Sequence, residues 1–366
     1  MKNRILRLIP LLIVLAALIG AVPAYGGMEK KSQVSARTIV DMAGRRVELP
    51  MPGNIERVAI LASPTVQLIY IVGEQDKLCA MTASQSRFKL FEKFYPRQAK
   101  IPAPRKSEAD INIEALLATN PQFCIGSKAD MDVVDKSTNL PTAVVNTLAH
   151  TQFFECRKEE VRLFGKIFGK EERANRYCTY LDNTLANIKS KTSDIPENRK
   201  AKVYMGYGPD HLVTYGGDTY MQEKIVAAGC RNVADKLSTL GGKEGGLSTV
   251  SPEQVLTWNP DIIVIDTGNP GDLANNPVWA SITAVKNRNV FRLPVGGFMW
   301  NRPCAESAVL LPQWLALKAY PDRFRGINIE QEIKRYFREI LSFNLGDEDV
   351  NKILNPPESP IYHPGK

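Results

Sequence analysis

The chain has 366 residues, 44% hydrophobic and 23% charged, enough for two domains with real cores and far from the composition of a disordered protein. The formal net charge is +8, but the Lys and Arg residues are scattered. No basic block interleaved with aromatics is present, which argues against a nucleic-acid binder and for an ordinary solvated surface.

Residues 1–24 read as a secretory signal peptide: Lys2, Arg4 and Arg7 precede an apolar run from Leu8 to Val22, followed by the small-residue site Val22-Pro23-Ala24. A membrane span needs about 20 apolar residues, and this run is shorter. No Cys follows it, so a lipid-anchored form is not expected. Cleavage would place the protein in the periplasm with a net charge of +5. The six cysteines (79, 124, 156, 178, 230, 304) form no CxxC pair and no zinc spacing with histidine. Cys79 and Cys124 fall in strand-like runs as buried thiols; one disulfide among the others stays open.

"TIVDMAGRRVEL" alternates apolar and polar residues around Ala43-Gly44 and predicts a hairpin. "RVAIL", "KLCAM" and "LPTAVVN" predict buried strands, and "PTVQLIYIVG" a helix stopping at Gly73. Strands alternating with short helices predict an N-terminal α/β lobe with a parallel sheet over residues 37–169. A helical stretch follows, broken near Gly165 and Gly169. Its second part, 170–193, carries one apolar stripe and would be about 36 Å long at 1.5 Å per residue. Residues 200–343 repeat the earlier order as a C-terminal α/β lobe, with "KVYMGY" and "NVFRLPV" as strands, "YGPDHLVTYGG" (207–217) as a loop and "TYMQEKIVAAG" as a helix. Residues 344–366 are polar and proline-rich and predict a flexible tail.

One unit occurs twice. "NIEALLATNPQFCIG" (112–126) and "SPEQVLTWNPDIIVI" (251–265) match at Glu114/Glu253, Leu117/Leu256 and Asn120-Pro121/Asn259-Pro260, with a constant offset of 139 residues. Each reads as a capped helix, a turn and a strand at equivalent positions of two lobes. An acid in a helix's first turn is stabilised by the dipole, by about 0.3–1 kcal/mol, which by itself is reason enough for Glu114 and Glu253. Ligands gather beyond the carboxyl ends of parallel strands. That places the cleft walls at Ser63, Arg87 and Lys128 on one lobe and at Tyr207, His211, Tyr215, Asp266-Thr267-Gly268 and "GGFMWNRP" (296–303) on the other. Arg87, Lys128 and Arg302 suit an anionic ligand; Tyr207, Tyr215 and Trp300 suit stacking. His211 is a candidate metal-coordinating or hydrogen-bonding side chain, but three histidines in all are too few for a site built from several imidazoles. No GxSxG, HExxH or P-loop lysine motif is present, and "GYGPDH" lacks the third glycine of a dinucleotide fingerprint, so neither an enzyme nor a resident cofactor is expected.

Taken in order, the leader, the "TIVDMAGRRVELP" opening, "IEALLATNP", the single connecting helix, "TYGG…VAAGCRNVA" and "SPEQVLTWNPDIIVI" resemble the class III periplasmic substrate-binding proteins, over about residues 38–325. The resemblance implies two Rossmann-like lobes joined by one long helix and a ligand cleft between them. It implies a monomer serving an ABC importer, with an iron–siderophore, haem or cobalamin chelate as cargo or, in some branches, molybdate or tungstate. It also implies that Glu114 and Glu253 dock to arginines of the inner-membrane permease. A periplasmic sensor or scaffold that binds a partner protein is the alternative of another class.

Overall fold

The computed structural model describes residues 36–85, 88–105, 110–146, 148, 151–238 and 247–356. The leader lies outside them. β1 (Ala36–Val40) and β2 (Arg46–Pro50) form the expected hairpin, and Gly44 turns it at φ +76°. β3 (Val58–Ile60), β4 (Leu78–Ala80), β5 (Phe123–Gly126) and β6 (Thr142–Val144) form a parallel sheet ordered β4-β3-β5-β6. Every residue of these four strands is buried, as a parallel sheet covered on both faces requires. α1 (Val66–Val72) follows β3, and α2 (Ile113–Ala118) precedes β5.

α3 (Phe153–Phe168) and α4 (Glu171–Thr192) lie between the two sheets in chain order. The break between them lies at Gly169, φ +66°. Gly165 does not interrupt α3; it lets α4 approach, because a Cβ there would stand 2.7 Å from Ala174 Cβ. The second lobe holds β7 (Lys202–Gly206), β8 (Val213–Tyr215), α5 (Tyr220–Ala227), β9 (Arg231–Asn232), β10 (Leu247–Thr249), α6 (Pro252–Trp258), β11 (Ile262–Ile265), β12 (Val290–Arg292) and α7 (Ala305–Ala319). Its parallel sheet runs β12-β11-β7-β9. Read from the other edge, 9-7-11-12, this is the order 4-3-5-6 again: the two lobes share one topology. The repeated unit supplies the same central strand in each, β5 and β11.

Two expectations are corrected. The 207–217 segment is not loop throughout: β8 pairs antiparallel with β10. The described part of the tail, up to residue 356, is also ordered. α8 (Asp347–Leu354) buries Val350 and Ile353, and Val295 N donates to Ile353 O at 2.9 Å. Three acids in its first turn favour a helix start, and Val350, Ile353 and Leu354 make a short apolar stripe that a proline-rich context obscures. All six cysteines are free and buried.

Candidate functional site

The chain beyond β4 meets the chain beyond β12, where Gln85 and Phe88 touch Gly297 and Phe298. On the first lobe the chain leaves β3 into Ser63 and β4 into Thr82 and Ser84. Ser63 Oγ meets Thr82 Oγ1 at 2.7 Å and also the Ser84 hydroxyl, giving a cluster of three hydroxyls at the strand ends. Lys128, after β5, is exposed and paired with Asp132 one turn along its own helix at 2.7 Å, so it belongs to the solvated surface. Arg87 lies outside the described residues.

On the second lobe, Arg302 is the organising group. Its guanidinium is half-buried, donates to Tyr207 Oη at 2.9 Å and lies 5.6 Å from the centre of the Tyr207 ring. Tyr215 and Tyr220 stand beside it with ring centres 5.7 Å apart. Burial pushes the Tyr207 hydroxyl up to about 12, and the Tyr215 and Tyr220 hydroxyls also upward, so all three stay protonated donors at neutral pH. Asp266, at the end of β11, is buried and accepts from Gly208 N at 3.0 Å. Burial raises its carboxyl to about 6, against the opposing pull of that hydrogen bond and of Arg292 and Arg302.

His211 is buried in a left-handed conformation, φ +59°, with Tyr204 Oη donating to its carbonyl at 2.7 Å. Its ring packs edge-on to Trp279, and its Nδ1 has no hydrogen-bond partner among the described residues. Burial lowers its pKa, so the neutral imidazole prevails at neutral pH. Among the described residues no group of three or more His, Cys, Asp or Glu is placed to hold a metal ion.

The aromatic expectations change most. Trp300 is fully buried and its indole donates to Glu306 Oε1 at 2.8 Å; it is part of the hydrophobic core rather than a stacking platform. Phe298 packs on Phe88 of the first lobe with ring centres 4.5 Å apart, and Gln85 Nε2 donates to Gly297 O at 3.2 Å. Tyr215 is 2% exposed and offers an edge at most. A glycine-flanked apolar run looked able to face a cavity; it is instead the seam where the lobes meet.

Sequence reasoning missed Tyr220, Lys224 and Glu306. Lys224 had a legible signal, since it shares a helical face with Tyr220, Met221 and Ile225, all buried. Glu306 had none: an acid in the first turn of α7 looks like an ordinary dipole partner.

Glu114 and Glu253 are both exposed, each in the first turn of its helix. Asn112 Oδ1 caps α2 by accepting from Ala115 N at 2.9 Å, and Ser251 Oγ caps α6 by accepting from Gln254 N at 3.2 Å. Glu253's own backbone N–H and the Ser251 hydroxyl hold its carboxyl below the usual range. No helix among the described residues is long and apolar enough to cross a membrane.

The chain is similar to several binding proteins. The chain is 23% identical over 332 residues to the molybdate-binding protein MolA of Haemophilus influenzae, covering 84% of this chain and 92% of that one. It is 24% identical over 213 residues to an iron-uptake system-binding protein of Bacillus subtilis, covering 54% and 65%. Among solved structures, a periplasmic solute binding protein of Veillonella parvula superposes with a TM-score of 0.76 at 25% identity, covering 89% of this chain and 98% of that one. MolA bound to molybdate superposes at 0.71 and 22% identity, covering 85% and 99%. The family described as periplasmic binding protein matches residues 58–295, and this chain belongs to it.

Proposed function

We propose that the chain is the substrate-binding component of an ABC importer and that its cargo is a small oxyanion of the molybdate or tungstate type. The observation that carries this reading is the setting of Arg302: a half-buried guanidinium hydrogen-bonded to Tyr207, amid protonated tyrosine hydroxyls. The hydroxyls of Ser63, Thr82 and Ser84 stand at the strand ends of the opposite lobe. A tetrahedral dianion takes hydrogen bonds all round and needs one or two cationic donors, which this set supplies. A planar or greasy chelate would want open aromatic faces, and Trp300 and Tyr215 are turned inward. The near full-length similarity to a molybdate-binding protein supports the same choice.

Cargo is captured without covalent chemistry. Residues 1–24 direct export to the periplasm, the protein acts as a monomer, and α4 limits how far the lobes swing. Glu114 and Glu253 each offer an exposed carboxylate to an arginine of the permease, contacts that steer and orient docking while leaving it transient. The second reading, an iron–siderophore chelate, is supported by the match to an iron-uptake binding protein and by the unpartnered Nδ1 of His211, whose ring lies beside Gly268.

Calorimetric titration of purified protein with molybdate, tungstate, sulfate and a ferric siderophore separates these readings. Oxyanion binding is expected at micromolar or tighter Kd, about 8 kcal/mol or more. Ferric-chelate binding with no heat from molybdate or tungstate overturns the oxyanion reading.

A further inference from the structure

The segment that carries Arg302 is gripped by two buried ionisable groups. Lys224 of α5 is fully buried and donates to Arg302 O at 2.6 Å, Trp300 O at 3.3 Å and Ser307 Oγ at 2.6 Å. Its ammonium also lies over the rings of Phe153 and Tyr220, at 4.9 and 5.2 Å. Glu306 of α7 accepts from Gly297 N at 2.9 Å, Trp300 Nε1 at 2.8 Å and Gln67 Nε2, from α1 of the other lobe, at 3.3 Å. The chain folds directly onto this carboxylate: a Cβ at Gly296 would stand 1.7 Å from Glu306 Oε1, so only glycine fits there.

We propose that Lys224 and Glu306 are positioning residues, an ammonium and a carboxylate that jointly hold the 296–303 segment so that Arg302 presents its guanidinium to the cargo. The proposal rests on the oxyanion reading only for the ligand used to test it.

The hydrogen-bond inventory fixes the ionisation that this geometry needs. Three acceptors around Lys224 call for three N–H groups, which the ammonium has and the neutral amine lacks. Three donors around Glu306 call for a carboxylate, since a protonated carboxyl would aim an O–H at one of them. Both groups are expensive to keep charged when buried, and a buried charge is weak as a device for stability. Burial pushes Lys224 down to about 7 and Glu306 up to about 7. Lys224 faces Arg157, which lowers it further, Cys304, which opposes that, and the Tyr220 ring. Glu306 faces Cys304 and Tyr336 besides its three donors. As pH falls through about 7, Glu306 takes up a proton and one grip loosens; as pH rises through about 7, Lys224 loses a proton and the other loosens.

Two measurements test this. Hydrogen exchange of the 296–303 backbone amides in ligand-free protein, corrected for intrinsic rates, is followed from pH 5.5 to 8.5; molybdate affinity is followed over the same range. Protection and affinity should both peak near pH 7 and fall severalfold towards each end. Lys224→Met should flatten the alkaline limb and Glu306→Gln the acidic one, each weakening molybdate about tenfold at pH 7 while circular dichroism reports a folded protein. Protection that is flat with pH in the wild type overturns the proposal, as do variants that keep the wild-type profile. If either variant fails to fold, the wild-type exchange profile decides. A wild type that ignores molybdate sinks the cargo reading, and the exchange arm still decides this one.

Discussion

The two lobes are one architecture put to two uses. β5 and β11 are central strands of sheets with the same order, each reached through a capped helix and an asparagine in the left-handed region, Asn120 at φ +47° and Asn259 at φ +43°. Beyond the strands the likeness ends. β5 leads to Ser127, which caps a helix by accepting from Asp130 N, and to the solvated Lys128; β11 leads to a buried carboxylate beside Arg302. Among the described residues the first wall offers the hydroxyls of Ser63, Thr82 and Ser84 beside the Arg105–Asp130 ion pair, and the second is cationic and tyrosine-lined. The two lobes match where backbone geometry sets the residue type and differ at the strand ends, where it does not.

The comparison sharpens most at Arg302. Arg302→Ala should weaken molybdate binding by about 100-fold, roughly 2.7 kcal/mol, in calorimetry, whereas Ser63→Ala should cost less than tenfold. Equal losses would mean that both walls bind alike. Next is the strut shared by the walls. Arg157 and Glu160 of α3 form a fully buried ion pair; Thr65 Oγ1 donates to Glu160 at 2.6 Å and Arg157 to Pro303 O at 3.2 Å. Arg157→Ala leaves Glu160 buried without its counter-charge and should destabilise by about 3–5 kcal/mol in urea unfolding.

The paired asparagines come third. Alanine in the left-handed region costs about 1–2 kcal/mol. Asn259 Oδ1 also accepts from Thr283 N at 2.8 Å, so Asn259→Ala should cost more than Asn120→Ala, by about 1 kcal/mol in thermal unfolding. Asp266→Asn is a smaller effect with a defined pH signature. The folded carboxyl titrates at about 6 against 3.8 for the free group, so Asp266's contribution is fully present below pH 3.8 and lost as pH rises through 6. Asp266→Asn should therefore match wild-type stability best in acid and exceed it above pH 6. It should also bind molybdate severalfold tighter at pH 8 than wild type, because an anion near Arg302 is then relieved of a like charge. Glu114→Ala and Glu253→Ala should cost no more than the helix-dipole contribution, about 0.3–1 kcal/mol each, should leave cargo affinity unchanged, and should lower uptake in cells that carry the permease. Unchanged uptake would remove the docking role.

Legibility in the sequence followed the range of the interactions. The hairpin at Gly44, the two capped helices, the Asn-Pro turns and the buried strands rest on contacts a few residues apart, and their residue types announce them. The doubling at an offset of 139 residues was enough to place equivalent strands in two lobes. Whether Trp300 faced a ligand or the core was beyond local reading, because Glu306, which accepts from its indole, is itself held by Gln67 of α1. Lys128 and Arg302 looked alike as loop cations, yet one lies on a solvated helix and the other against Tyr207, about 95 residues back along the chain. Local propensity set the elements and their order; burial and charge at the cleft were set by which distant segments the folded sheets bring together, and those determine which side chains keep an ionic charge or a free face.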